Sequence, residues 1–209
     1  MSAVRWRRGS WAGAVRVRCA HAVVCAVVLS SGLFAQDAGV QSWLDGPLAG
    51  WNRAGAAVPR APAAGESREA LARRCTLTIP QSTRAERAIA EAGWIAAPHF
   101  DRQLAQGDVE ILDGLISAGP ECRPASFQSF VFVGGRFAGT LSPEPMATEH
   151  DGVAGPLRIL PGDIITADFS RYRPEDAGCC PSAHFVVRFK VDRSGSAPTV
   201  VPVEVRKTR

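Results

Sequence analysis

Phe185-Val186-Val187-Arg188-Phe189-Lys190-Val191 carries the cleanest alternation in the chain. In an extended segment Phe185, Val187, Phe189 and Val191 point one way, and Val186, Arg188 and Lys190 point the other. That is one buried and one wetter face of an antiparallel strand. Downstream, Val201, Val203 and Val205 repeat the period, and Pro202, with no N–H to give to a ladder, puts that strand at an edge. Upstream, residues 127–133 and 136–141 flank Gly134-Gly135, two residues that tolerate the positive φ of a tight hairpin turn. Residues 157–160 and 164–172 flank Pro161-Gly162 in the same way. Val109, Ile111 and Ile116 belong to a first β segment. The one helix signal is Thr83-Arg84-Ala85-Glu86, a capping box that opens a short helix to about residue 92, with Gly93 as its stop. Ala85, Ala88, Ile89 and Ala92 form its apolar stripe, and Trp94-Ile95 re-enters the core. The expected fold is α+β and β-rich: an antiparallel sheet of about six strands with one short helix.

The 209 residues include 24 Lys and Arg against 20 Asp and Glu, a formal net charge of +4. Five of those arginines (Arg5, Arg7, Arg8, Arg16 and Arg18) lie in residues 1–35, which contain no acid. Without them the balance is 19 basic to 20 acidic residues, a net of −1. The basicity therefore belongs to one segment, and with a single tyrosine in the chain, nucleic acid is not an expected partner. A 46% hydrophobic and 21% charged composition excludes both a disordered chain and a polytopic membrane protein.

Residues 1–35 read as a secretory signal peptide. The arginines are followed by an apolar stretch from Cys19 to Leu29, then Ser30-Ser31-Gly32 and Leu33-Phe34-Ala35. The apolar stretch is shorter than the roughly 20 residues a spanning helix needs. Cleavage after Ala35 leaves Gln36 at the N-terminus and no membrane span; retention would make the segment an anchor. Cys25 follows Ala22-Val23-Val24, a poor lipid-attachment site, and Arg7-Arg8-Gly9-Ser10 lacks the bulky apolar residues of a twin-arginine signal. Residues 36–74, rich in Ala, Gly and Pro, are expected as an extended arm that Trp43, Leu44 and Trp51 pin to the domain. Residues 75–209 are the expected β-rich, disulfide-containing domain. The compartment is periplasmic, cell-envelope or secreted.

Loss of the signal removes Cys19 and Cys25 and leaves Cys75, Cys122, Cys179 and Cys180, an even count that reads as two disulfides. Adjacent side chains on an extended chain point apart, so Cys179 and Cys180 are expected to reach different partners, one taking Cys75 and the other Cys122. Such bridges would contribute roughly 3–5 kcal/mol each in the chain-entropy view. No C-x-x-C or zinc-ligand spacing is present, so neither a metal nor a cofactor is expected.

Catalytic patterns are weak. His99-Phe100-Asp101 and His150-Asp151 place carboxylates beside imidazoles without a metal-binding or acid–base spacing. His184 opens a strand, and Ser182 lacks a nucleophile elbow. Gly134-Gly135 joins two strands and cradles no phosphate. Arg123, Arg171 and Arg173 lie beside cysteines, so disulfides could gather them into an anion-binding patch; the alternative is pairing with Glu121, Glu175 and Asp176.

Three stretches together resemble the LppP/LprE-type family of exported bacterial proteins. They are Cys122-Arg123-Pro124 with residues 127–133, Gly135-Arg136-Phe137-Ala138-Gly139-Thr140-Leu141-Ser142-Pro143, and Arg171-Tyr172-Arg173-Pro174 leading to Cys179-Cys180-Pro181-Ser182. Met146, Asp151-Gly152, Trp51-Asn52 and Gly93-Trp94 fall where its other landmarks are expected, so the resemblance spans roughly residues 51–201. It implies an envelope or secreted location and disulfide use, and it carries no reaction. The expected function is a non-enzymatic structural or binding module with an envelope partner, an extracellular partner or a small ligand. The alternatives are an exported enzyme built around His150, Asp151 and the Cys179-Cys180 loop, or thiol–disulfide chemistry at Cys179-Cys180.

Overall fold

A computed structural model describes residues 42–98, 104–148, 150–152 and 157–208. The leader at 1–35, the cleavage site before Gln36, and the His99-Phe100-Asp101 candidate lie outside the described residues. Ten strands are described: β1 (Ile95–Pro98), β2 (Leu104–Gln106), β3 (Val109–Ala118), β4 (Pro124–Val133), β5 (Arg136–Thr140), β6 (Met146–Ala147), β7 (Arg158–Leu160), β8 (Ile164–Arg171), β9 (Ala183–Asp192) and β10 (Thr199–Lys207). Two short helices, α1 (Arg68–Arg74) and α2 (Arg84–Glu91), and a 3₁₀ turn at Trp43–Asp45 complete the set.

The strands form two antiparallel sheets rather than one. In the six-stranded sheet β3 and β4 are the long central pair, with β1 and β2 both pairing with β3, and β5 and β6 both pairing with β4. The four-stranded sheet has the order β10-β9-β8-β7. Ile111, Val131 and Val133 of the first sheet and Ile165, Phe169, Val187 and Phe189 of the second share one core between the layers. A second apolar cluster fills the other face of the six-stranded sheet, where Ala85 and Ile89 of α2 meet Trp94, Leu112, Phe130 and Phe132. The layers therefore run helix, sheet, sheet.

Local chemistry acts where it was expected. Thr83 caps α2 and Glu86 returns the bond to the Thr83 N–H, both halves of the box being formed. Gly134 and Gly135 turn the β4–β5 hairpin with φ of 57° and 70°. The second hairpin turn takes in Asp163 as well as Gly162, with φ of 61° and 82°. The alternation along β9 matches its burial from Val187 onward, and Pro202 lies on the edge strand β10.

Two expectations are corrected. Val203 does not face inward: the register slips between Pro202 and Glu204, so Val200 and Pro202 face the core while Val203 is half exposed. A bulge shifts every later side chain to the opposite face. The arm is not extended to residue 74 either. Ser67 caps α1 by accepting from the Ala70 N–H, and Leu71 and Ala72 sit in the core.

Trp43, Leu44 and Trp51 pack against the core. Leu44 is buried, Trp43 stands edge-on to Phe169 with centroids 5.1 Å apart, and Trp51 stands edge-on to Trp43 at 5.3 Å. The Trp51 Nε1–H donates to the Thr140 hydroxyl at 3.1 Å. Asn52 goes further, because β5 and β10, edge strands of different sheets, run against each other. Its Nδ2 donates to Thr140 O at 2.9 Å and to Val200 O at 3.0 Å, and its Oδ1 accepts from the Thr140 N–H at 2.9 Å. One side chain thus does at this seam what a strand's backbone does within a sheet.

Candidate functional site

The candidate residues concentrate at the end of β8. After β6 the chain lays His150 and Gly152 against β8: Ser170 N–H donates to Gly152 O at 2.6 Å and Tyr172 N–H to His150 O at 2.8 Å. Gly152 also passes close to the backbone of Thr148, where a Cβ would lie 2.8 Å from Thr148 O. Asp151 is thereby directed at the 3₁₀ turn of the arm. Ser42 Oγ–H donates to its Oδ2 at 2.8 Å, and the Arg171 Nε lies 3.7 Å from Oδ1.

Arg171 joins the same cluster from β8. Its Nη2 donates to Asp45 Oδ2 at 3.0 Å and its Nη1 to Tyr172 O at 2.6 Å. Asp151 Oδ1 is buried without a hydrogen bond among the described residues. Burial is the largest influence on its carboxyl and raises it above the usual carboxylate range; Asp45 adds to this, while the Ser42 bond, Arg171 and His150 oppose it. The chemistry present is a half-buried carboxylate and a guanidinium turned toward the arm.

Other candidates are placed as follows. The His150 side chain is exposed, as is Arg123, which pairs with Glu121 at 3.5 Å. Arg173 is exposed, and its N–H donates to Asp176 Oδ2 at 2.8 Å. Asp176 also accepts from the Ser182 N–H at 2.7 Å and from the Ser182 hydroxyl. These bonds, led by the Ser182 hydroxyl, hold the Asp176 carboxyl below its usual range. Tyr172 O–H donates to Gly178 O at 3.1 Å, so this loop and the His150 turn meet through the Tyr172 backbone and hydroxyl. The segments converge, but the His150 and Asp151 side chains do not form a dyad with the loop.

The cysteine pairing is corrected. Cys75 joins Cys122, with Cα atoms 5.4 Å apart, and Cys179 joins Cys180. Arg74, the last residue of α1, explains the first pair: its guanidinium donates to Ala118 O and Gly119 O, each at 3.1 Å, and so docks the helix end on the β3–β4 turn. The second pair becomes accessible because its backbone is not extended. Cys180 N–H closes a turn on Ala177 O at 2.8 Å, which removes the opposed side-chain directions expected of adjacent residues. With Cys122 taken by Cys75, no bridge links Arg123 to the loop that follows Arg171.

Asn52 and Arg193 carry more of this architecture than local sequence shows. Arg193 donates to both oxygens of Asp108, at 2.8 and 2.9 Å, and to both of Asp163. It ties the β2–β3 turn of one sheet to the β7–β8 turn of the other. Its hydrogen bonds hold both carboxyls below their usual range. Neither residue sits in a motif; the only local signal was the pairing of Asn52 with Trp51.

Among the described residues there is no cluster of three or more His, Cys, Asp or Glu suited to a metal, and no helix is long and apolar enough to cross a membrane. The fold and this end of the molecule define a class: a β-rich domain of two facing antiparallel sheets, with a helix on one outer face and cysteine bridges at its turns. Within it, residues 115–194 match the model of the LppP/LprE lipoprotein family. That is the family resembled by the Arg171-to-Ser182 and hairpin stretches, and a lipoprotein family implies an exported, envelope-associated protein. No curated protein and no solved structure matches the chain.

Proposed function

We propose that this protein is a non-enzymatic structural or binding module of the cell envelope, released from its leader near Gln36 and cross-linked by its four remaining cysteines. The observation that carries the reading is the use made of Asp151 and Arg171. The most chemically capable pair in the candidate site is directed at Ser42 and Asp45 and seats the arm. A carboxylate and a guanidinium committed to holding a segment of their own chain act as a latch.

The intact mass of the protein recovered from the exporting host, alkylated with and without prior reduction, tests the placement. The expected result is a chain beginning near Gln36 that takes up alkylating agent only after reduction. A full-length cytoplasmic chain, or free thiols in the envelope fraction, would overturn it. The non-enzymatic part fails if the protein turns over a fluorogenic ester, phosphate or glycoside and His150→Ala abolishes that turnover.

A further inference from the structure

Outside the Asp151 cluster, the outer face of α2 borders a cleft of about 460 Å³, within the size range of small-molecule sites. One wall is residues 55–60, the second is α2, and the third is the β4–β5 hairpin. The first wall is fixed in place. Trp94 Nε1–H donates to Pro59 O at 2.8 Å, and the Ala61 N–H donates to Ala92 O at 2.8 Å. The third wall is backed by Phe137, whose ring packs on Phe132 and Phe130 with centroids 5.9 and 6.2 Å away.

Val58, Ala88, Ala92 and Phe137 give the cleft an apolar lining at positions that are only partly buried. Its charged groups are Arg60, Arg84 and Arg136 against the single carboxylate Glu91. All three arginines are exposed. Among the described residues no hydrogen bond or ion pair engages the Arg60 or Arg84 guanidinium, and Arg136 makes one long bond, 3.4 Å, to Ser196 O. Three other arginines of this domain are, by contrast, committed: Arg74 to Glu66, Arg171 to Asp45 and Arg193 to two aspartates. Three guanidiniums around an apolar trough, with one acid among them, form a surface of excess positive charge beside a greasy floor.

We propose that this cleft binds an anionic amphiphile, a single carboxylate or phosphate on an apolar chain. The chain lies over Phe137, Ala88 and Ala92, and the headgroup is held by Arg84 and Arg136, with Arg60 across from them. The guanidinium fork suits both headgroups. The inference rests on the envelope-module reading and supplies its ligand.

The test is calorimetric titration of the protein purified as exported, at low salt, with decanoate, decyl phosphate, decanol and decyltrimethylammonium. The expected result is one site for the two anions, binding about tenfold weaker for decanol, and none for the cation. Decanoate and decyl phosphate distinguish a free fatty acid from a phospholipid-type headgroup. The variant Arg84→Gln/Arg136→Gln, shown folded by an unchanged thermal midpoint, should bind the preferred anion about tenfold more weakly. A photoreactive decanoate should label residues 55–60, 84–92 or 135–137. Absence of anion binding, equal binding of decanol, an unaffected double variant, or labelling elsewhere would each overturn the proposal. An exported, thiol-free protein that binds no amphiphile refutes this inference alone. Turnover lost in His150→Ala refutes the module reading whatever decanoate does.

Discussion

Gly139 and Asn52 offer a quantitative test of the seam between the sheets. Gly139 has φ of 143°, in the half of backbone space that side chains rarely adopt. A Cβ there would sit 2.4 Å from Asn52 Cγ and 2.6 Å from both Nδ2 and Oδ1. The amide cannot yield cheaply, because it holds the bonds to Thr140 N–H, Thr140 O and Val200 O. Asn52→Ala loses those three bonds, at about 1 kcal/mol each, so it should cost about 3 kcal/mol. Gly139→Ala expels the same amide and adds backbone strain of about 2 kcal/mol, for about 5 kcal/mol. The double variant should also cost about 5 kcal/mol and not the additive 8, since Asn52→Ala deletes the three atoms the new methyl would strike. Urea unfolding followed by tryptophan fluorescence, with far-UV circular dichroism as a second probe, gives the four free energies of the cycle. Additive losses within about 0.5 kcal/mol would refute the reasoning, because they would mean that Gly139 and Asn52 do not share a space.

Three further outcomes follow from the same geometry. Gly114→Ala should destabilise by about 1–3 kcal/mol, since its methyl would meet Phe130 Cε2 at 2.5 Å and Trp94 at 3.0 Å; a neutral thermal midpoint would contradict this. Asp151, raised above its ordinary 3.8 by burial, is neutral in both states at low pH, so its penalty is absent there. As pH rises the unfolded chain ionises first, so the native state loses stability just above 3.8 and levels off past the folded value. Asp151→Asn should therefore gain stability relative to wild type across that window in urea melts from about pH 3.5 to 6.5, and a relative loss would contradict the sign. Finally, a fragment confined to residues 115–194 should not fold, because it lacks α2, β1, β2, β10 and Asn52; a cooperative unfolding transition in that fragment would refute this.

What the sequence revealed was whatever neighbouring residues encode. The alternation at 185–191, the Gly134-Gly135 turn and the Thr83–Glu86 box each act over a few residues, and each stands where it was read. The number of sheets was hidden because both edges of the six-stranded sheet are built from two short pieces, β1 with β2 and β5 with β6. None of these short pieces has room for a periodic pattern. The bulge at Val203 is invisible for a related reason: an inserted residue leaves the valine spacing intact while reversing what it faces. Asn52 reaches Thr140 and Val200, 88 and 148 residues away, and no spacing rule records such a reach. The cysteine pairing failed because docking of α1 on the β3–β4 turn, through Arg74, decided the partner of Cys75. At the candidate site, the sequence named Asp151 and Arg171 but not Ser42 and Asp45, the residues that give the pair its use.

The seam also sets how the domain responds to a mechanical load. Tension applied to the chain ahead of Ser42 arrives first at the Ser42–Asp151 and Asp45–Arg171 contacts, and then at Trp51 and Asn52. Because Asn52 grips β5 and β10 together, its bonds are loaded at the same moment and the two sheets share the strain. Bonds loaded together fail as a group, whereas a peeled strand releases its bonds singly. A load on the N-terminal side would therefore release the arm's contacts at Ser42 and Asp45 first, and then meet both sheets together at Asn52.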